Sequence, residues 1–183
     1  KTPQMVAITG SVRAGMAVAE SAAADVKRVH LELGGKAPAI VFDDASIAKA
    51  AEGIVTGAFF HAGQDCTAAT RVIVHASVHD ELVRALVERV RTHARTGAPH
   101  EEGVFFGPLS SAAQLAQVQG FVDRLPAHAT IETGGKRQGD VGYFFEPTIV
   151  SGMQQDDEAV QSEIFGPVLT VQSFESDDEA LAY

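Results

Sequence analysis

The chain has 183 residues, a formal net charge of −10 and 45% hydrophobic residues, enough for one good core or for one domain and part of another. An acidic chain without a lysine or arginine cluster is a poor match for nucleic acid or for an anionic membrane surface. The single cysteine excludes an internal disulfide bond, and we find neither a membrane-length apolar run nor a signal-peptide pattern. We therefore expect a soluble, cytoplasmic protein.

The first predicted elements are a strand, a tight turn and a helix. Met5–Thr9 is a short apolar run, and apolar residues at helical spacing follow it over residues 12–23, with Ser11 in the position of a helix N-cap. Gly10 and Gly15 have the spacing of P-loop glycines, but the lysine and hydroxyl residue that this motif requires are absent. The turn is therefore an ordinary strand-to-helix connection that could also bind a phosphate group.

Strands and helices alternate along the rest of the chain. This alternation predicts an α/β fold with an open, largely parallel twisted sheet flanked by helices. Ser77 is expected to cap one of the helices, Ser110 and Ser111 are expected to start another, and the glycine pair Gly34–Gly35 marks a weak boundary between two lobes. The further predicted strands are Val29–Leu33, Ala39–Phe42, Arg71–His75, Thr130–Thr133, a strand around Pro147 and Val168–Phe174, and the further helical patterns run from Ile47 to Ala58, from Val78 to Val90 and from Leu115 to Leu125.

Cys66 lies just beyond the second helical pattern, in a polar loop. Gly63 ends that helix, and Gln64, Asp65 and Thr67 surround the cysteine. A free cysteine is most often a small buried hydrophobe, but three polar neighbours are a poor setting for a core residue. We therefore interpret Cys66 as a nucleophile that faces a cleft.

Glu32 lies between two leucines, Leu31 and Leu33, directly before Gly34–Gly35. One interpretation is an exposed strand position with both leucines pointing inward, and the residues alone favour it. The other is a general base in a half-apolar cleft, where desolvation raises the pKa of a carboxyl group toward the working pH.

Three motifs together resemble one family, the NAD(P)-dependent aldehyde dehydrogenases. Glu32–Lys36 is similar to the family's ELGGK segment, Gly63–Cys66 to its GQxC loop, and Glu163–Val168 to its E-[IV]-FGPV segment. Softer similarities occur over residues 9–11 and 142–148, and the order and separations of the motifs also suit the family. The resemblance covers essentially the whole chain.

The resemblance implies a covalent mechanism. The Cys66 thiolate would attack an aldehyde carbon to give a thiohemiacetal, whose oxidation leaves a thioester. Glu32 would activate the water that hydrolyses this thioester. The oxyanion would be held by the Cys66 backbone N–H and by an asparagine that the family carries upstream of this segment.

The resemblance also implies NAD as cofactor, with NADP as an alternative. Gly10 and Ser11 at the first turn would meet the pyrophosphate, and Leu33 and Gly34 would border the nicotinamide. Glu163 would accept hydrogen bonds from the hydroxyls of the nicotinamide ribose, and Phe165 would pack near the nicotinamide ring. For the phenylalanine, plain core packing is the alternative. These cofactor-binding residues are Gly10, Ser11, Leu33, Gly34, Glu163 and Phe165.

Family members run to roughly 450–500 residues, so we expect a fragment that is inactive by itself. Residues 1–33 would be the C-terminal remnant of the NAD-binding domain, and residues 34–183 the catalytic domain, truncated at its C-terminal end. The whole protein would be a homodimer or homotetramer. Cys66–Arg71 and Gly107–Ser111 are most similar to the aminoaldehyde branch, especially the 4-aminobutyraldehyde dehydrogenases, with the betaine-aldehyde branch close.

Two other classes of function remain open. A cysteine hydrolase or acyl-transferase needs a histidine base beside the thiol; His61 is near Cys66 in sequence, but its place at an apolar helix face favours core packing. An interaction module without catalysis is the third possibility. A zinc site is not expected, because His75 and His79 lie in different elements and lack the glutamate of HExxH.

Overall fold

The computed structural model describes residues 3–183, and these form two compact units that meet in sequence between Gly35 and Lys36. We call them the first and second unit. The division lies two residues beyond the domain boundary expected from the sequence. Lys1 and Thr2, which the expected first domain includes, lie outside the described residues.

The first unit is a strand–helix–strand motif with two parallel strands. Strand β1 (Met5–Gly10) leads into helix α1 (Val12–Ala23), and strand β2 (Arg28–Leu33) returns beside β1. Their register pairs the last residues of both strands, so that the carboxyl ends of β1 and β2 lie at the same edge. As predicted, Ser11 is the N-cap of α1, and its Oγ accepts a hydrogen bond from the backbone N–H of Ala14 at 3.2 Å.

Helix α1 packs on the strands of its own unit through small residues. Val12 and Met16, whose spacing predicted the helix, are 53% and 67% exposed, whereas Gly15 and Ala22 are buried. A Cβ atom on Gly15 would lie 2.6 Å from Cδ2 of Leu33. The helix approaches β2 so closely at Gly15 that a larger residue would have to displace the Leu33 side chain.

The second unit contains a five-stranded sheet in the order β3-β4-β7-β6-β5. All neighbouring strands are parallel except β5 and β6, so the predicted largely parallel α/β fold is confirmed. The strands are β3 (Pro38–Val41), β4 (Arg71–His75), β5 (Thr130–Thr133), β6 (Thr148–Ser151) and β7 (Val168–Phe174), and the helices are α2 (Ile47–Phe59), α3 (His79–His93), α4 (Ala112–Asp123), α5 (Glu158–Gln161) and α6 (Asp177–Ala182).

The core of the second unit lies between the sheet and helices α2 and α3. Leu82, Leu86 and Val90 of α3 are buried as their spacing predicted, and Phe59 at the end of α2 stacks on Phe106 with ring centroids 6.3 Å apart. Strand β4 is buried along almost its whole length, as expected for a central parallel strand with a continuous apolar run.

One predicted helix cap is wrong, whereas the helix start predicted at Ser110 and Ser111 is correct. Ser77 does not cap α3, because it lies in a single 3-10 turn before the helix and its Oγ hydrogen-bonds with Nδ1 of His75 at 2.8 Å. Ser111 does cap α4, and its Oγ accepts from the backbone N–H of Gln114 at 3.1 Å. None of the helices in residues 3–183 has the length and hydropathy that a membrane crossing requires.

Candidate functional site

A left-handed turn separates the end of α2 from the loop of Cys66. His61, Ala62 and Gly63 have φ values of 51°, 59° and 67° in succession. A left-handed conformation costs a residue other than glycine about 1–3 kcal/mol, so the surrounding contacts must hold this turn in place. Ala62 and Gly63 remain buried in this turn, and Cys66 is exposed three residues after Gly63.

Gly63 brings this turn into contact with a second loop, residues 163–167. A Cβ atom on Gly63 would lie 2.3 Å from the carbonyl oxygen of Gly166, which no side chain can tolerate. Gly63 is therefore required twice, for its positive φ and for this close approach. The contact places the loop of Cys66 directly beside the loop that carries Glu163 and Phe165.

Gln64 anchors the loop of Cys66 to the start of α4. Its side chain is buried, its Oε1 accepts from the backbone N–H of Ser110 at 2.9 Å, and its Nε2 donates to the carbonyl oxygen of His61 at 3.3 Å. Both ends of the amide are thus satisfied. The sequence marks Gln64 only as part of a motif; its partner lies 46 residues away.

Asp65 shapes the loop on the other side of the thiol. Its Oδ1 accepts from the backbone N–H of Thr67 at 2.9 Å and from the Thr67 hydroxyl at 3.0 Å. These two hydrogen bonds, with smaller contributions from the Cys66 thiol and from His61, lower the pKa of Asp65. A fixed carboxylate therefore lies immediately before the cysteine, which the sequence indicated only as a polar neighbour.

The loop of residues 163–167 is held by two glutamines of α4. Gln114 donates its Nε2 to the carbonyl oxygens of Phe165 at 2.7 Å and Ile164 at 3.1 Å, and Gln117 donates to Ile164 at 3.2 Å. Phe165 has a φ of 55° and a side chain that is 36% exposed. The phenylalanine ring is therefore at the surface of the second unit, and the alternative of plain core packing does not hold within that unit.

Lys36 is a buried cation beside Glu163. Its Nζ is buried and, within residues 3–183, has no hydrogen-bond partner. Burial, together with repulsion from Arg71, lowers the pKa of Lys36 to about 7, and attraction by Glu163 opposes the shift. The Arg71 guanidinium is fixed by Gln172 at 3.0 Å and by Gln155 at 2.7 Å. In the sequence, Lys36 was identified only as the last residue of the Glu32–Lys36 motif, and no role was predicted for its amine.

The first unit carries the remaining predicted site residues. Gly10 and Leu33 are the paired last residues of β1 and β2, and Ser11 and Gly34 directly follow them, so these four residues lie at one edge of the strand pair. Glu32 is exposed, and its Oε1 lies 2.8 Å from Nε2 of His30. Within the first unit Glu32 thus occupies an exposed strand position, although Leu31, which that interpretation expected to point inward, is itself 36% exposed.

His61 corrects a further expectation. It is exposed and left-handed rather than packed at the apolar face of α2, because the helix ends at Phe59 and His61 lies in the left-handed turn that follows. His75 and His79 hydrogen-bond with Ser77 and Asp80. Among the described residues, no group of three or more His, Cys, Asp or Glu side chains is arranged to hold a metal ion.

The chain is similar in sequence and in structure to several known proteins. A betaine aldehyde dehydrogenase of Bacillus subtilis is 40% identical over 99% of this chain and 38% of its own length, and one of Brucella anthropi is 43% identical over 97% and 37%. The crystal structure of a betaine aldehyde dehydrogenase of Staphylococcus aureus in complex with NAD+ has a TM-score of 0.93 at 37% identity, covering 98% of this chain and 36% of that one. An NAD-dependent aldehyde dehydrogenase of Sinorhizobium meliloti has a TM-score of 0.94 at 41% identity, with the same coverage.

The fold and the site define an α/β protein with a solvent-accessible cysteine on a braced loop. The model of the aldehyde dehydrogenase family matches residues 1–183, and the chain belongs to that family. It spans 36–38% of the length of the relatives named above.

Proposed function

We propose that the whole protein is an NAD-dependent aldehyde dehydrogenase in which this chain supplies the nucleophile, Cys66, and the general base, Glu32. The observation that carries the proposal is the exposed Cys66 on a loop that is braced by Gln64 and packed against residues 163–167. Family membership of the whole chain supports it. The first unit would be the end of the NAD-binding domain and the second unit most of the catalytic domain.

The residues present fit an NAD cofactor. Gly10 ends β1 and Ser11 is the N-cap of α1, and the free backbone N–H groups of a helix N-terminus favour a phosphate group. Leu33 and Gly34 end the neighbouring strand at the same edge and would border the nicotinamide. In the second unit the Glu163 carboxylate would accept hydrogen bonds from ribose hydroxyls. Bound NAD would supply the hydride acceptor.

The chain's own residues would carry the covalent steps. The Cys66 thiolate adds to the aldehyde carbon, and the Cys66 backbone N–H stabilises the oxyanion of the resulting thiohemiacetal. After oxidation the product is a thioester on Cys66. Glu32 accepts a proton from water as the water attacks this thioester, which releases the carboxylic acid and regenerates the thiol.

We propose a small aldehyde with a cationic nitrogen as substrate, either 4-aminobutyraldehyde or betaine aldehyde. The pattern of residues 66–71 and 107–111 supports the first, and the names of the relatives described above support the second. A homodimer or homotetramer in the cytoplasm is part of the same proposal; a single cysteine is compatible with a reducing compartment.

The test is a steady-state assay of the whole protein with NAD and each of the two aldehydes, following NADH absorbance. Cys66→Ser is expected to lower kcat by about 10³-fold or more, because a serine hydroxyl without an adjacent base is a poor nucleophile. Glu32→Gln is expected to leave a single-turnover burst of NADH and to slow every later turnover. No NADH formation from either aldehyde by the wild-type protein would refute the proposal.

A cysteine hydrolase is the second candidate, because His61 is exposed and interacts electrostatically with Asp65 next to the thiol. A hydrolase would cleave an activated ester without NAD and would lose this activity in His61→Ala. A dehydrogenase would keep its aldehyde oxidation in His61→Ala and lose its turnover in Glu32→Gln. The two variants therefore separate the two candidates.

A further inference from the structure

The two loops of the candidate site share one support, the segment from Ser110 to Gln114 in which α4 begins. The backbone N–H of Ser110 donates to Oε1 of Gln64 at 2.9 Å and so holds the loop of the cysteine. Four residues later, Gln114 donates its Nε2 to the carbonyl oxygens of Phe165 at 2.7 Å and Ile164 at 3.1 Å. The start of α4 thus connects the nucleophile loop to the loop of residues 163–167.

The second loop depends on these hydrogen bonds because its backbone is left-handed at Phe165, with a φ of 55°. Residues other than glycine adopt this conformation only where the surrounding structure over-determines it. Gln117 adds a third hydrogen bond, to Ile164 at 3.2 Å. The next residue, Gly166, would place a Cβ atom 2.3 Å from Cγ2 of Val118, so α4 also fixes the loop by close packing.

Gln114 itself is held from both sides. Its backbone N–H donates to the Oγ of Ser111, the N-cap of α4, at 3.1 Å, while its side chain spans to the loop. Gln114 therefore links the start of α4 directly to the backbone of the loop of residues 163–167.

We propose that Gln114 is a positioning residue for the cofactor side of the site: it sets the loop that carries Glu163 and Phe165 relative to the loop of Cys66. The inference rests on the proposed function, because Glu163 and Phe165 are there assigned to the cofactor. The new element is that the affinity for NAD depends on the Gln114 side chain, which acts through its hydrogen bonds to the carbonyl oxygens of Ile164 and Phe165.

The test compares Gln114→Met with Gln119→Met in the whole protein. Methionine keeps the length of glutamine and removes its donors. Gln119 lies on the same helix and donates to Asp123 at the surface, so it is a matched control. In Gln114→Met we expect the KM for NAD to rise about tenfold, as the loss of two hydrogen bonds permits, with less than a twofold change in the rate of Cys66 alkylation by iodoacetamide. Gln119→Met should resemble the wild type in both measurements.

Hydrogen–deuterium exchange supplies a readout that does not need catalysis. Backbone amides of residues 163–169 should exchange at least fivefold faster in Gln114→Met than in the wild type, and those of Gln119→Met should not change. Unchanged exchange in Gln114→Met overturns the inference, and so does faster exchange with a wild-type KM for NAD.

A failure of the proposed function gives a different result. If the wild type binds NAD, measured by calorimetry, but oxidises neither aldehyde, the proposed function fails, and a tenfold weaker Kd for NAD in Gln114→Met still supports the positioning role. If the wild type does not bind NAD, both the proposed function and the cofactor role of Gln114 are overturned, whatever the exchange rates show.

Discussion

The buried amine of Lys36 makes a strong prediction about stability and pH. In the folded protein burial and Arg71 lower the pKa of Lys36 to about 7, whereas the ordinary value is 10.5. Between these two values the unfolded chain binds the proton more tightly than the folded protein does. The contribution of Lys36 to the free energy of unfolding therefore rises as the pH increases from about 7 to about 10.5.

The magnitude follows from the two pKa values. A difference of one pKa unit corresponds to about 1.4 kcal/mol, and Lys36 is half ionised in the folded protein at the start of the window. Raising the pH from about 7 to about 9 should therefore increase the free energy of unfolding by about 2 kcal/mol through Lys36 alone. Lys36→Met removes the titrating amine and should remove this part of the pH dependence.

The measurement is urea denaturation at constant ionic strength over this pH range for the wild type, Lys36→Met and Lys49→Met. Lys49 is exposed on α2 and serves as the matched control. Titrations common to all three proteins cancel in the differences, so the stability of the wild type relative to Lys36→Met should improve by about 2 kcal/mol while Lys49→Met follows the wild type. Parallel pH profiles for wild type and Lys36→Met would refute the reasoning. A nitrogen-detected NMR titration of Lys36, with a midpoint near 7, checks the same claim if the variant does not fold.

Two further predictions use matched pairs. Gly63→Ala should destabilise the protein by about 3 kcal/mol or more in urea denaturation, because the new Cβ atom would lie 2.3 Å from the carbonyl oxygen of Gly166. Gly53→Ala should instead stabilise the protein by about 0.5–1 kcal/mol, because Gly53 lies inside α2 with open space around it. Equal effects of the two substitutions would contradict the packing described. Ser111→Ala should lower the free energy of unfolding by about 1 kcal/mol, because the cap of α4 is lost. Ser46→Ala should lower it by only about a few tenths of a kcal/mol, because the Ser46 side chain makes no capping hydrogen bond. Thermal unfolding of both variants tests the pair, and a larger loss in Ser46→Ala would contradict the prediction.

Local patterns predicted most of the elements because their physical cause is local. Strand β4 was predicted with its exact bounds, Arg71–His75, since a continuous run of β-branched residues leaves few other structures open. The helix start predicted at Ser110 and Ser111 was also correct. The predicted cap at Ser77 was wrong, because the Ser77 hydroxyl hydrogen-bonds with the imidazole of His75. Helix start signals in the sequence do not indicate a competing side-chain partner of this kind.

The parts of the site that depend on distant contacts were not predictable. Gln64 and Ser110 are 46 residues apart, and Gln114 and Phe165 are 51 residues apart. Nothing in the sequence around Gln114 distinguishes it from an exposed glutamine on an amphipathic helix. Likewise Lys36 is an ordinary lysine after two glycines until the fold buries its amine beside Arg71.

The nucleophile loop combines strain with a tight anchor, and the two features explain each other. His61 and Ala62 hold left-handed conformations that they would leave in an isolated peptide. The carbonyl oxygen of His61 is, however, bound by the buried amide of Gln64, whose other end is tied to the start of α4. Relaxing the turn would break this bond and would separate Gly63 from Gly166. The strain is therefore retained because its release would cost the contacts that keep the exposed thiol beside the second loop.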